Sequence, residues 1–400
     1  MKNKITVRSS FKDIAAFKSI PELRKGVIAQ APGEPIAANF AVNAIANFLH
    51  PSSQSLIISE VVQLNKDVRK YTLKPNVAKG TALLAYYRPG QYISVTLKIG
   101  ESVITRPYNL CSSPSHSLND EYVLIIRRSQ YGFASKYIFD NWQKGTEIEA
   151  SAPTGSFYYQ PIRDFKNVIG ICDTRGITSF IAMAEAIAEG AIDMNLTLLY
   201  ACRKKAEAAE AEILDALAAV TNKFKIIYVL SDERLEKCER GFVTKSMIEK
   251  YAPTAHFSVF VSGSTALYNR VSPQLSNMNL ESKNIRFGLT GQIVGVESLA
   301  DFPKELQGRS FICKVMNGDT TVATIPCSST ESLLVSLERA GIAANSSCRS
   351  GECGFCRAKL TKGNVYIPRG IDSRKLADSS YGMIHPCCSY PMSDLTLVLK

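Results

Sequence analysis

No apolar run in this 400-residue chain reaches the roughly 18–20 residues that a bilayer-spanning helix needs, so the sequence predicts no transmembrane segment. Glycine and proline, 24 and 17 residues, are too few and too scattered for a collagen-like or linker-type chain. Lysine and arginine outnumber the acids by 47 to 36, a net charge of +11, yet they form no basic run and accompany no nucleic-acid motif, so nucleic acid is not the expected partner. The opening Met1-Lys2-Asn3-Lys4 is followed by Thr6, Arg8, Lys12 and Asp13 with no apolar core, which argues against a secretory signal. Eleven cysteines without an export signal belong in a reducing compartment, and a cytoplasmic location is expected. Histidine is scarce, four in all, and only His385 lies in the last quarter of the chain.

What is present is ordinary globular composition, 46% hydrophobic and 21% charged, over a length that allows two to four domains. Residues 1–54 read as a helical extension: Asn39, Asn43 and Asn47 recur every four residues beside a row of Ile36, Phe40, Ala44 and Phe48. The expected role is a helix packed on the body of the protein; docking to a partner or a membrane surface is the sharper alternative, and asparagine in place of lysine weighs against anionic lipid. Residues 55–162 hold short β-rich segments, among them 56–64, 92–99 and 122–128, which predict a small antiparallel barrel. From 163 to 290 buried-type strands alternate with helical stretches, which predicts a parallel α/β sheet. Lys204–Ala219, Ala-rich with alternating charge, reads as a solvated helix. Residues 291–308 carry no pattern and read as a linker, and 309–400 return to short strands with one helix near 332–340.

Five of the eleven cysteines fall in the last 53 residues. Cys348, Cys353 and Cys356 form C-x4-C-x2-C, and Cys387 follows 31 residues later. Four thiolates are what a [2Fe–2S] cluster requires, and this is the plant-type ferredoxin spacing. Gly351 and Gly354 let the loop backbone approach and aim N–H groups at sulfur. A zinc ribbon would pair two C-x2-C knuckles where only one exists, and a Rieske centre would need two histidines. Cys387 and Cys388 are adjacent, and on extended chain only one of them can face the cluster. Cys387-Cys-Ser-Tyr390-Pro391 resembles the C-x-x-Y-P stretch of plant-type ferredoxins, which assigns the ligand to Cys387 and leaves Cys388 as a small buried hydrophobe. Cys111, Cys172, Cys202, Cys238, Cys313 and Cys327 read as structural.

Further motifs occur in a fixed order: Arg88-Pro-Gly-Gln-Tyr92, Arg106-Pro107-Tyr108-Asn109, Arg127-Arg128, Gly132-Phe-Ala-Ser135 and Pro153-Thr-Gly155-Ser-Phe157. Together they resemble the flavin domain of the ferredoxin–NADP⁺ reductase superfamily. The resemblance covers residues 55–400. Its order of flavin, nucleotide and ferredoxin domains is similar to that of phenylacetyl-CoA oxygenase reductase, hybrid-cluster-protein reductase and phthalate dioxygenase reductase. It implies a multidomain protein: an antiparallel β-barrel flavin domain (55–162), an α/β parallel-sheet nucleotide-type domain (163–290) and an α+β β-grasp ferredoxin domain (309–400). Arg106 and Pro107 then lie against the cofactor phosphates, the arginine as a bidentate charge. Tyr108 stacks on the isoalloxazine, and Asn109 stands beside flavin N5 where the family has Ser or Thr; these two are the expected catalytic positions. Arg127, Gly132 and Ser135 suit an adenine-bearing pyrophosphate and favour FAD over FMN.

The nucleotide-type domain departs from that family. Where the family loop resembles G-I-x-G-G-S-G-I-T-P, this chain reads Gly170-Ile-Cys-Asp173-Thr174-Arg175-Gly176-Ile-Thr178-Ser179. Gly176 and Thr178 are retained as cofactor-binding candidates. Asp173 puts a negative charge where phosphate is expected, with Arg175 as compensation. Ser262 replaces the family cysteine, and Gly288 and Thr290 replace the closing acidic and aromatic residues. Two readings follow. In one, NAD(P)H delivers hydride to FAD, and the [2Fe–2S] cluster passes single electrons to a protein partner. In the other, the domain is a scaffold, and the chain is an electron-transfer subunit without its own NAD(P)H site. The segment 309–400 has eleven basic against seven acidic residues, which predicts docking on an acidic partner face.

Overall fold

The computed structural model describes residues 10–31, 40–100, 102–129, 132–253, 256–288, 291–293, 295–369 and 371–399. Two compact units divide near Phe48. The first contains two helices, α1 (Phe11–Gln30) and α2 (Ala41–Leu49). Ser10 caps α1 by accepting from the Asp13 amide while the Asp13 carboxylate accepts from the Ser10 amide, a reciprocal pair that satisfies two orphan donors. The asparagine periodicity does mark a helix at α2, but no residue of α2 is buried, so its apolar row of Val42, Ile45 and Phe48 is exposed rather than packed. Asn39 and Ile36 lie outside the described residues.

The second unit starts with β1 (Ser53–Asn65), β2 (Val68–Pro75), β3 (Tyr92–Ile99), β4 (Ser102–Asn109), a single helical turn α3 (Ser115–Leu118), β5 (Tyr122–Arg127), α4 (Phe133–Asn141) and β6 (Glu147–Ser151). The strands form one antiparallel sheet in the order β4-β3-β6-β1-β2-β5. Alternate residues face inward: Leu56 and Ile58, Tyr71 and Leu73, Ile93 and Val95, Tyr122 and Leu124, all buried. The sheet curls until its edges meet, where the Cys111 amide donates to the Val123 carbonyl at 2.8 Å. The barrel is the frame on which β4 is held.

Next come β7 (Asn167–Asp173), α5 (Ile177–Ala188), β8 (Asn195–Cys202), α6 (Ala211–Val220), β9 (Phe224–Leu230), β10 (Glu239–Arg240), α7 (Lys245–Tyr251), β11 (Ser258–Ser262), α8 (Thr265–Ser276) and β12 (Ile285–Gly288). They make a parallel sheet ordered β10-β9-β8-β7-β11-β12. Both faces are covered. Phe180, Met183 and Leu214 of α5 and α6 pack on one, Ile248, Val271 and Leu275 of α7 and α8 on the other. That double burial explains the unbroken apolar strand sequences. The segment expected to be a solvated helix is half-buried, because Ala208, Glu210 and Leu214 turn inward against α5 and the sheet. Chain order reverses between β7 and β11, whose carboxyl ends adjoin through the Cys172–Ser262 pair.

The last part comprises β13 (Ser310–Asn317), β14 (Thr320–Ser328), α9 (Leu333–Arg339), β15 (Ala358–Lys362), β16 (Val365–Tyr366), α10 (Leu376–Ser380), β17 (Met383–Ile384), β18 (Tyr390–Pro391) and β19 (Leu395–Leu399). Five strands form a mixed sheet, β14-β13-β19-β15-β17, with α9 packed over Val315, Cys327 and Leu397. The stretch 291–308, read from sequence as a linker, is packed: Val296, Leu299, Phe302 and Leu306 are buried against Tyr366 and Tyr390. Their spacing of three to four residues suits the two short 3₁₀ turns at Val296–Ser298 and Lys304–Leu306.

Candidate flavin and iron–sulfur site

The loop between α9 and β15 carries Cys348, Cys353 and Cys356, and Cys387 sits in a 3₁₀ turn at Pro386–Cys388. The Cys356 and Cys387 sulfurs are 3.4 Å apart. Backbone amides point at the sulfurs: Ser350 and Cys353 donate to Cys348 Sγ at 3.5 and 3.4 Å, Gly351 to Cys387 Sγ at 3.2 Å, and Phe355 to Cys353 Sγ at 3.4 Å. Hydrogen bonds from the Cys353 and Cys387 thiols, then from Ser350, hold the Cys348 thiol far below its ordinary range. Four cysteine sulfurs in a pocket lined with N–H donors are the chemistry that a [2Fe–2S] cluster needs, so these four residues could hold one. The Cys388 sulfur is 3.5 Å from the His385 carbonyl and would lie 2.6 Å from a β-carbon at Gly351. Gly351 has φ +84°, so a side chain there would be strained as well as crowded. His385 ties the loop down through Nδ1, 2.7 Å from the Gly351 carbonyl.

The loop does not stand apart from the barrel. Ser347 Oγ lies 3.0 Å from Ser94 Oγ on β3, and Thr105 Oγ1 on β4 donates to the Ser346 carbonyl at 3.2 Å. Ser156 donates to the Glu352 carboxylate. Arg349, in the left-handed region at φ 58°, turns its guanidinium under the loop and forks onto Glu338 of α9, with Gln292 Oε1 at 3.2 Å. Glu338 also faces Arg106 on β4, at 3.8 Å. Burial, then the like charge of Arg349, pushes Arg106 down to about 10, with Glu338 opposing. Tyr92 of β3 is buried beside the loop; burial and then the Cys348 and Cys353 sulfurs raise its phenol. A cleft of about 480 Å³ runs between barrel and loop, lined by Ser94, Thr96, Thr105, Thr154, Ser346 and the exposed Cys353.

On β4, Arg106 and Tyr108 share a face, two residues apart. Burial raises the Tyr108 phenol, and Arg106 offsets part of that rise. Pro107 lies opposite Ser94, whose amide donates instead to Ser151 Oγ at 3.0 Å. Asn109 closes the strand: its Nδ2 donates to Thr178 Oγ1 at 3.0 Å, while its Oδ1 is buried without a partner among the described residues. That unmatched acceptor, beside Tyr92, Gly155, Gly288 and Glu352, fits a ligand bearing a polar ring edge. Ser135 Oγ donates to the Gly132 carbonyl at 3.2 Å at the start of α4, and a β-carbon at Gly132 would lie 2.3 Å from that oxygen. Arg127 has a partner that the sequence did not suggest. Its guanidinium pairs at 3.3 Å with Glu210, buried beside Tyr200, and so links the barrel to the nucleotide-type domain.

In that domain Gly176 is packed directly on β11: a β-carbon there would lie 1.8 Å from the Ser262 carbonyl oxygen. Thr178 reaches across to Asn109. The Asp173 carboxylate accepts from the amides of Arg175 (2.9 Å), Gly176 (3.3 Å) and Ser264 (2.9 Å). Ser262 Oγ and Tyr268 Oη donate to the Gly288 carbonyl at 3.2 and 2.9 Å, and Phe157 fills the space where a Gly288 side chain would sit. Thr290 lies outside the described residues. Sequence reading missed Arg349, Glu338, Glu352 and Tyr92 as parts of this junction. Only Tyr92 carried a signal, its place in the Arg88–Tyr92 motif.

The barrel, the doubly covered parallel sheet and the cysteine loop define a flavin- and iron–sulfur-dependent oxidoreductase. Residues 55–159 match an oxidoreductase FAD-binding domain, 171–272 an oxidoreductase NAD-binding domain, and 316–392 a 2Fe–2S iron–sulfur cluster binding domain. The three matches follow one another in the order flavin, nucleotide and iron–sulfur domain, which is the order that the sequence resemblance implies. It is 27% identical over 313 residues to the ferredoxin reductase component of 3-ketosteroid-9-alpha-monooxygenase from Mycobacterium tuberculosis, covering 77% of this chain and 84% of that protein. It is 23% identical over 354 residues to the glycine betaine monooxygenase reductase subunit of Pseudomonas aeruginosa, covering 84% of this chain and 93% of that protein. The solved structure of phthalate dioxygenase reductase shares the fold, with a TM-score of 0.61 at 22% identity over 87% of this chain and 98% of that one. No helix among the described residues is long and apolar enough to cross a membrane.

Proposed function

We propose that this chain is the reductase component of an oxygenase-type system, taking hydride from NAD(P)H and delivering single electrons to a separate protein acceptor. FAD supplies the step from two-electron to one-electron chemistry, and the [2Fe–2S] cluster supplies a one-electron carrier. The observation that carries the reading is the junction between barrel and cysteine loop, where Ser94, Thr105, Ser156 and Arg106 on the flavin side meet Ser347, Ser346, Glu352 and Glu338. These contacts hold the cluster ligands against the strand that bears Tyr108 and Asn109, so the path between centres is short and preset. Arg106 holds the cofactor phosphates, Tyr108 and Asn109 orient the flavin ring, and Cys348, Cys353, Cys356 and Cys387 ligate the irons. Gly132 and Ser135 shape the start of α4 for the pyrophosphate. The acceptor presents an acidic face to the basic ferredoxin domain. Nucleic acid is not a partner, and the protein works in the cytoplasm.

Anaerobic mixing of oxidised protein with NADH and, separately, NADPH tests this. Bleaching of flavin absorbance followed by cluster absorbance is expected. Reduction of both centres by dithionite but by neither nucleotide would replace the reading with that of an electron-transfer subunit fed by another protein. The Asp173 carboxylate is the observation that favours this second reading.

A further inference from the structure

We propose that Asp173 is a resident anion occupying the phosphate cradle of the nucleotide-type domain, so that its carboxylate sets how tightly a dinucleotide pyrophosphate can bind. The proposal rests on NAD(P)H being the electron donor. In open parallel sheets ligands bind beyond the carboxyl ends of the strands, where chain order reverses, and phosphate sits on helix N-termini there. Here that point lies between β7 and β11, and two 12-residue helices, α5 and α8, begin at it from Gly176 and Ser264. The match to an NAD-binding domain spans the same residues. The amides that a phosphate would use are already engaged: Arg175 and Gly176 donate to Asp173 Oδ1 and Ser264 to Oδ2. Within the first turn of α8 the Leu267 amide donates to Ser264 Oγ at 3.3 Å. The backbone is closed in as well, since a β-carbon at Gly263 would lie 2.8 Å from Asp173 Oδ1.

A carboxylate satisfies these donors as a phosphate would, with oxygens and negative charge. The two anions cannot share them. A dinucleotide binds only if the half-buried Asp173 side chain swings out of the cradle. Its affinity is reduced by the fraction of molecules in which the cradle is closed.

The experiment is calorimetric titration of the full chain, loaded with FAD and cluster, with ADP-ribose, NAD⁺ and adenosine, comparing wild type, Asp173→Ala and Asp173→Asn. Asp173→Ala should bind ADP-ribose and NAD⁺ at least tenfold tighter than wild type, Asp173→Asn should gain less, and adenosine, which lacks phosphate, should gain nothing. Should Asp173→Ala fail to fold, Asp173→Asn, checked by its melting temperature, decides. Unchanged or weaker ADP-ribose binding in the folded variants would overturn the proposal, as would an equal gain for adenosine. If ADP-ribose binding tightens but neither NADH nor NADPH bleaches the flavin of any variant, the cradle assignment stands and the electron donor is wrong. If wild type is bleached and the variants bind no tighter, the reverse holds.

Discussion

The guanidinium of Arg349, which follows the cluster ligand Cys348 and whose side chain is 1% exposed, forks onto the carboxylate of Glu338, the next-to-last residue of α9. The same carboxylate faces Arg106 on the flavin strand. A single acid therefore faces two cations from two domains, the buried Arg349 and the partly exposed Arg106. Removing one partner of such a set leaves an uncompensated buried charge, typically at a cost of about 3–5 kcal/mol. Glu338→Ala should lower the unfolding free energy of the loaded protein, followed by urea denaturation, by that order. Glu338→Met with Arg349→Met should recover the part of the loss that belongs to Arg349, because that pair is then replaced rather than broken, while Arg106 stays without its acid.

Cys387→Ser should abolish the cluster absorbance and the reduced-state electron paramagnetic signal, with iron and acid-labile sulfide falling together. Cys388→Ser should leave all of them in place. The opposite pattern would move the fourth ligand to Cys388.

Asn109 offers an unmatched buried oxygen and a second hydrogen bond, at 3.0 Å, to Thr178. Asn109→Ala should slow flavin reduction by NAD(P)H about tenfold, equivalent to ~1.4 kcal/mol of barrier, while FAD stays bound by absorbance. Thr178→Val should give a smaller effect in the same direction. Stopped-flow absorbance at a saturating donor concentration separates the two from wild type.

Gly176→Ala tests whether this glycine serves the ligand or the packing. A methyl group would meet the Ser262 carbonyl at 1.8 Å, far inside contact. Overpacking of a tight core costs about 1–3 kcal/mol or more, so the variant should melt well below wild type even without nucleotide. An unchanged melting temperature would show that the loop yields easily.

His116 contacts Glu185 at 3.3 Å and Glu121 at 4.0 Å, with Glu189 close by. The hydrogen bond to Glu185 comes first among the causes that raise its pKa above the ordinary 6.5. A raised folded-state value means that protonation favours the folded form. The stabilisation is fully present below about pH 6.5 and is lost as pH rises through the higher folded value. The stability gap between wild type and His116→Gln should therefore shrink from pH 6 to pH 8.5, followed by denaturant midpoints. A gap that is constant with pH would remove the charge from the account.

The barrel and the parallel sheet were legible because each rests on short-range periodicity, with alternation in β3, unbroken apolar runs in β7 and β8, and helical spacing in α5, whereas the β-grasp arrangement came from the resemblance. The cysteine spacing was legible for the same reason, since one loop carries three ligands. The 291–308 segment was not, because its four buried apolar residues acquire meaning only when Tyr366 and Tyr390 arrive from elsewhere in the chain. Arg127 matched a cofactor motif by order along the chain, and its contact with Glu210 of the next domain is something a linear motif cannot reveal.

By itself the sequence determined which side chains can bind iron, which strands can be buried, and the order in which the domains follow one another. These depend on residue type and local spacing, and folding leaves them intact. Only the tertiary structure decided that Glu338 serves both Arg349 and Arg106, and that Asp173 takes the amide of Ser264 across 91 residues. Hydrogen bonds and ion pairs form between whatever groups packing brings within about 3 Å, and packing depends on the whole chain, which no local pattern records.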